Sequence, residues 1–237
     1  MTSNRLQASD IGHLCDYYIP IEPMDTLLAR AFTAALQLDE KVDRERVATF
    51  PLAKYASEHW IDHAKFENVQ SQIQDALKRL FNPKRSHLRA CIWVHNVDLK
   101  YTYALDHSPP PLQATALYYA VLFGFSELEK WLITTHGESV NAKCRGDRTP
   151  LHVACREGHV NDMRLLLDYG AHVRSQNDGG RISLHFASHW GNVRVVQLLL
   201  EHGVTLIARS NAGNNPLYLA FGIGHLEVVR LLLDNGT

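Results

Sequence analysis

The chain is short of the features that announce chemistry. Nowhere in its 237 residues is there a G-x-x-x-x-G-K-[ST] run, so no glycine-rich loop and partner lysine stand ready to cradle phosphates. No G-x-S-x-G occurs either, which removes the strained turn that exposes a hydrolase serine. Gly222-Ile223-Gly224 resembles a dinucleotide loop only superficially: no third glycine follows, and it lies between two helical segments. The four cysteines, Cys15, Cys91, Cys144 and Cys155, form no CxxC pair, so neither a disulfide scaffold nor a zinc ribbon is indicated. Reduced thiols in the cytoplasm fit them best.

Net charge is nearly absent as well. Lys and Arg number 24 against 25 Asp and Glu, a formal charge of -1, which leaves no long-range field to draw in nucleic acid or an anionic membrane. The basic residues are interspersed with acids and join no aromatic recognition motif. The N-terminus has no apolar segment, and the longest nearly apolar run, residues 114 to 125, falls short of the ~20 residues a spanning helix needs. These absences predict a soluble, cytoplasmic protein with no nucleic-acid or membrane partner.

What the chain does have is a repeat. "TALYYA", "TPLHVA", "ISLHFA" and "NPLYLA" begin at Thr115, Thr149, Ile182 and Asn215, at steps of 34, 33 and 33 residues. A glycine follows each at matching distance: Gly124, Gly158, Gly191 and Gly224. A second apolar run comes next, as in "HVNDMRLLLDYGAHV" and "NVRVVQLLLEHGVTL". In "TPLH" the Thr149 hydroxyl is suited to cap a helix with Pro150 at its first position, where the missing N–H costs nothing. Gly158 and Gly191 permit the positive φ that ends this helix, and "RLLL" or "VVQLLL" supplies a second helix apolar over a wide arc. One such unit cannot bury that arc alone, so consecutive units must stack, with the turns "RGDR", "NDGGR" and "NAGN" along one edge.

This period and grammar resemble the ankyrin repeat, from about Pro109 to the end of the chain. The expected fold is all-α: a helical connector over residues 1–108, then a solenoid of about four repeats, near 112–143, 144–176, 177–209 and 210–237. The resemblance implies that the "PLH" histidines, His152 and His185, link neighbouring repeats by hydrogen bonds. His159, His202 and His225 also fall at expected places. Departures from the pattern are Ile182 for the capping Thr, Ser183 for the Pro, and Tyr118 and Tyr218 for the His; they put local stability in question, chiefly in the third unit.

Residues 1 to about 105 carry no such period but contain amphipathic stretches. "MDTLLARAFTAAL" aligns Leu27, Leu28, Ala31, Ala35 and Leu38, and "NVQSQIQDALKRLF" aligns Val69, Ile73, Ala76, Leu77 and Leu80. Between them, "SEHWIDH" puts His59 and His63 four apart on one helix face, the spacing of a zinc pair. The glutamate of a zinc hydrolase would follow the first histidine, where Trp60 stands, and spacing nominates no third ligand. The face bordering Leu52, Ala56 and Trp60 instead predicts packed or capped histidines. A metal-dependent enzyme built on His59 and His63 stays open as the rival reading, and a truncated product with no role of its own as a third.

Longer segments of this half, "EPMDTLLARAFTAALQLDEKVD", "FPLAKYASEHWIDHAKFENVQSQIQDALKRLFNP" and "SPPPLQATALYYAVLFGFSELEKWLI", resemble those joining the nucleotide-binding NACHT module to the ankyrin array in fungal NLR-like proteins. "TSNRL" is similar to the tail of the winged-helix element before them. No phosphate loop accompanies the resemblance, so no NACHT ATPase is expected. The last unit, "GHLEVVRLLLDNGT", keeps an interior pattern, so either more repeats follow in a longer parent or Val229, Leu232 and their neighbours are partly exposed and invite self-association.

The resemblance implies that proteins bind at the turn tips and the concave surface of the first helices. By repeat position the turn sites are Arg145, Arg148, Asp178, Arg181, Asn211 and Asn214, and the helix sites Arg156, Glu157, His189, Trp190 and Ile223. A groove-facing tryptophan near arginines has the make-up of a binding hot spot, unless its ring folds back as core. Leu122 and Phe123 are too apolar for an open groove and are expected to be covered, by the N-terminal region across the stiff linker "DHSPPP". The expected function is a non-catalytic protein-interaction module with a protein partner, no cofactor and no metal.

Overall fold

A computed structural model of the chain describes Ile61, Ala64, residues 73–84, Leu88 and residues 114–236. His59, His63, Trp60, the stretch from Met24, the linker before Pro111, Cys15 and Cys91 lie outside the described residues. Those described form nine α-helices and no strand. One helix, α1 (Gln74–Leu80), precedes four helix pairs: α2 (Ala116–Phe123) with α3 (Ser126–His136), α4 (Pro150–Glu157) with α5 (Val160–Asp168), α6 (Ser183–His189) with α7 (Val193–Glu201), and α8 (Pro216–Ile223) with α9 (Leu226–Asp234).

The pairs stack in two layers. First helices α2, α4, α6 and α8 pack in one row, second helices α3, α5, α7 and α9 in the other, and each first helix packs on its own second helix. Alanine holds the centre of the first row: Ala120, Ala154, Ala187 and Ala220 are all wholly buried, and so small a side chain lets neighbouring backbones approach. Leucine holds the centre of the second row in Leu132, Leu166, Leu199 and Leu232, also wholly buried. An all-α stack of paired helices is thus what the 33-residue period predicts.

Helix starts are made in two ways. Thr115 Oγ1 accepts the Tyr118 N–H at 3.2 Å, and Asn215 Oδ1 accepts the Tyr218 N–H at 2.8 Å, both ordinary side-chain caps. In α4 the Thr149 hydroxyl is turned to His152 Nδ1, 2.9 Å away, instead of to the helix backbone, and the same ring nitrogen takes the Thr149 N–H at 3.0 Å. The ring is therefore the cap. This explains why the third unit tolerates Ile182: its N–H is received by His185 Nδ1 at 3.2 Å, so no hydroxyl is required. The glycines 124, 158, 191 and 224 all take positive φ after the first helices. At Gly191 (φ 72°) a Cβ would also lie 2.6 Å from His225 Nδ1, so backbone angle and close packing both demand glycine there.

The two ends of the stack differ. At the start, Phe81, just past α1, meets Phe123 and Phe125 edge-on at 6.3 and 6.1 Å between ring centres, and this supplies the cover expected over Phe123. Leu122 is half-buried. Ile73, Leu77 and Leu80 are buried as their spacing predicts, and α1 packs on α3. At the other end Val229 is half-buried, as expected, whereas Leu232 is wholly buried, which corrects the expectation that it is partly exposed. The exposed apolar groups there are Tyr218, Phe221, Ile223, Leu226 and Leu233, the last four at 70%, 50%, 71% and 52% of their full exposure.

Candidate functional site: the turn ridge and the ends of the first helices

Each inter-repeat turn is closed by the same backbone bond four residues apart: Cys144 N–H to Arg148 O, Asn177 N–H to Arg181 O, and Ser210 N–H to Asn214 O, at 2.8, 3.0 and 2.9 Å. The turns are also bonded to one another. Asp178 N–H donates to Gly146 O at 3.1 Å, Asn211 N–H to Gly179 O at 2.9 Å, and the Asn211 amide Nδ2 to Asp178 O at 2.9 Å. Arg145, Asp178 and Asn211 are exposed along this ridge, whereas Arg148, Arg181 and Asn214 are half-buried.

The half-buried members are held by the stack. The Arg148 guanidinium lies over the Phe186 ring at 5.8 Å and acts on the Tyr118 hydroxyl, tying the first, second and third repeats together. The carbonyls of Arg181 and Asn214 receive the "PLH" histidines. Because His152 Nδ1 accepts a backbone N–H, its proton sits on Nε2, which donates to Ser175 O and Arg181 O at 3.0 and 3.2 Å. His185 Nε2 donates to Asn214 O at 3.1 Å in the same manner. Burial pushes the His152 imidazole down to about 4 and lowers that of His185 as well, so both act as neutral donors. Their placement is structural.

A second inter-repeat ladder runs behind the first helices. His159 Nδ1 donates to Val121 O at 3.0 Å, Asn192 Nδ2 to Cys155 O and Arg156 O at 2.8 Å each, and His225 Nε2 to His189 O at 3.0 Å. Each donor reaches carbonyls in the last turn of a first helix. In the first repeat the same position is Phe125, buried against Phe81.

At the C-terminal ends of the first helices the candidate residues fall in register. Arg156 and Glu157 form an ion pair with each other, each about one third exposed. His189 is half-buried and meets the Trp190 ring edge-on at 5.6 Å between centres; burial first, then Arg181 and His225, lowers its pKa. Trp190 is 54% exposed and Ile223 50%. Trp190 is therefore not folded back as core. The register alone did not single out Tyr218, Phe221 and Ile207, which are still more exposed. A signal was present for Phe221: the matching residues, Val121, Cys155 and Ser188, are smaller and wholly buried.

An open cleft of about 330 Å³ between the first two repeats is lined by Phe123, Gly124, Ser126, Gly158, His159, Val160, Asn161 and Asp162. It holds a serine, a histidine and an aspartate in contact, but in an order that does not activate the serine. Asp162 sits in the middle, bonded to the Ser126 hydroxyl through Oδ1 and to His159 Nδ1 through Oδ2, 3.2 Å away. A nucleophile relay needs the imidazole between hydroxyl and carboxylate. Among the described residues no three His, Cys, Asp or Glu side chains are grouped to hold a metal ion, and burial pushes the Cys155 thiol up to about 12, far from a reactive thiolate.

The family model described as "Ankyrin repeats (3 copies)" matches residues 73–177 and 170–237. The chain belongs to the ankyrin-repeat family. The match opens at residue 73 and so takes in α1 as well as the four helix pairs. No curated protein matches the chain. Ankyrin repeats in general mediate protein–protein interaction, and among the described residues no helix is long and apolar enough to cross a membrane.

Proposed function

We propose that the chain is a non-catalytic protein-binding module whose contact surface runs along the turn ridge and the ends of the first helices, centred on Trp190. The observation that carries this reading is the exposure of Trp190, 54%, at the helix end in register with Arg156–Glu157 on one side and Ile223 on the other. A large aromatic left half in water costs apolar burial that a partner would recover, and tryptophan and arginine dominate binding hot spots. The ridge adds Arg145, Asp178 and Asn211, the last two fixed by the inter-turn bonds, so little ordering entropy opposes docking there.

The finer assignment is a recognition arm of an NLR-like receptor, or a short relative of one. Its support is the resemblance of the front half to the connector between NACHT and ankyrin modules. The test is affinity capture from the source cell with the wild-type chain, Trp190→Ala and Arg181→Ala. Trp190→Ala is expected to weaken partner retention roughly 30-fold or more, the loss of a hot spot worth ~2 kcal/mol. Equal retention by all three proteins defeats the assignment of this surface.

A second reading concerns the far end, where Tyr218, Phe221, Leu226 and Leu233 form an exposed apolar group at positions that interior repeats cover. Further ankyrin repeats or a second copy of the chain are its natural occupants.

A further inference from the structure

In every repeat but one junction, the second helices meet through apolar side chains. Leu128, Asp162, Val195 and Val228 occupy one matching position, and Glu129, Met163, Val196 and Val229 the next. Two acids thus stand where leucine, valine or methionine stands elsewhere, one on α3 and one on α5, the two helices that form the joint between repeats 1 and 2. Both are in the core: Glu129 is wholly buried and Asp162 is 2% exposed. A lone buried carboxylate in either place would be too costly to keep, so the pairing is the feature to explain.

The donors around the two groups are unequal. Asp162 receives Ser126 O–H on one oxygen and, on the other, the His159 Nδ1–H that it shares with Val121 O. No described nitrogen or hydroxyl donates to either oxygen of Glu129, and its carboxyl lies within bonding reach of Asp162. Of the elements packed on α3, α2 carries no charged residue. The Asp75, Lys78 and Arg79 of α1 exert no charge effect on Glu129, and α5 brings Asp162, with His159 at its start. An acceptor with no protein donor, beside a carboxylate that already has donors, is satisfied directly when Glu129 keeps its own proton and donates it to Asp162.

We infer that the joint between repeats 1 and 2 is proton-dependent, with protonated Glu129 bonding Asp162 across α3 and α5, and with release of that proton to solvent leaving two facing carboxylates that drive the helices apart. Burial first, and Asp162 second, hold the Glu129 carboxyl well above the usual glutamate range. The sign follows. The folded chain holds a proton that the unfolded chain has given up, so stability falls as pH rises from the ordinary glutamate value through the raised one. His159 adds a smaller effect of the same sign, since its bond to Asp162 outweighs burial and raises its pKa.

The test is urea unfolding of the full chain from pH 6 to pH 9, with amide exchange read over residues 126–136. The wild-type midpoint is expected to drop by roughly 0.5–1 M across that range, and Glu129→Gln, which keeps a donor without a titrating proton, to lose most of the drop. At pH 9 the α3 amides of Glu129→Gln are expected to exchange several-fold more slowly than those of the wild type. Glu129→Met, the residue of the next repeat, is the second variant; it too flattens the profile. Asp162→Asn shortens the pH span of the drop if the proton is shared. Parallel profiles for wild type and Glu129→Gln overturn the inference, and an unchanged span in Asp162→Asn overturns the sharing.

Discussion

The interior repeats and the terminal one are written in nearly the same pattern and have opposite fates. His152 and His185 are buried donors that reach the next turn, whereas Tyr218, in the same place, is 62% exposed. Cys155 and Ser188 are wholly covered by the following first helix, whereas Phe221, at the matching position and far larger, is open to water. The local helices are alike in both regions, with the same capping sites and the same αL glycine. The difference teaches that a repeat owes its secondary structure to its own residues and its stability to its neighbours, as expected for a one-dimensional stack.

Truncating leucines of the second helices separates the regions most widely. Leu166→Ala removes a wholly buried side chain between α5 and its neighbours and should cost roughly 2–5 kcal/mol, read as a fall in the urea midpoint. Leu233→Ala, at an exposed site of the terminal repeat, should stay within about 0.5 kcal/mol. A comparable loss at both would mean that the far end is covered in solution.

The histidine position gives the next contrast. His152→Ala strands the Ser175 and Arg181 carbonyls and the Thr149 N–H, at about 1–3 kcal/mol for each polar group left truly buried. Tyr218→Ala strands nothing of the kind, because the Tyr218 ring is 62% exposed, and should shift the midpoint by less than about 0.5 kcal/mol.

The interior ladder also responds to acid. His152 is held neutral, with its imidazole at about 4, so the unfolded chain takes up a proton first as pH falls below the ordinary histidine value. Stability is therefore lost between that value and about 4, opposite in sign to the Glu129 effect. Titration of the His152 ring by nuclear magnetic resonance checks it directly, and a ring that charges near its ordinary value would remove the neutral-donor ladder. The terminal repeat, with Tyr218, has no counterpart.

Much of the stack is legible in the residues. The steps between Thr115, Thr149, Ile182 and Asn215 locate every first helix, and the glycines locate its end, because capping and positive φ are decided within a few residues. The caps at His152 and His185 are less legible. A threonine before proline reads as a hydroxyl cap, and only the folded ring shows that imidazole does the work and that Ile182 suffices. The site is legible as register alone. Arg148 reads as a turn contact and Arg156 as a first-helix contact, yet one lies on Phe186 and the other is neutralised by Glu157.

By itself the sequence determined which residues share a helix face and at what interval the faces recur, since 3.6-residue spacing, caps and αL glycines act over single turns of chain. Tertiary structure decided which faces find a partner. Leu232 is inside and Phe221 outside, Trp190 stays open while Phe123 is roofed by Phe81, and Glu129 meets Asp162 instead of solvent. These outcomes depend on residues more than thirty positions away, so burial, protonation and exposure follow from the stack and not from the local pattern.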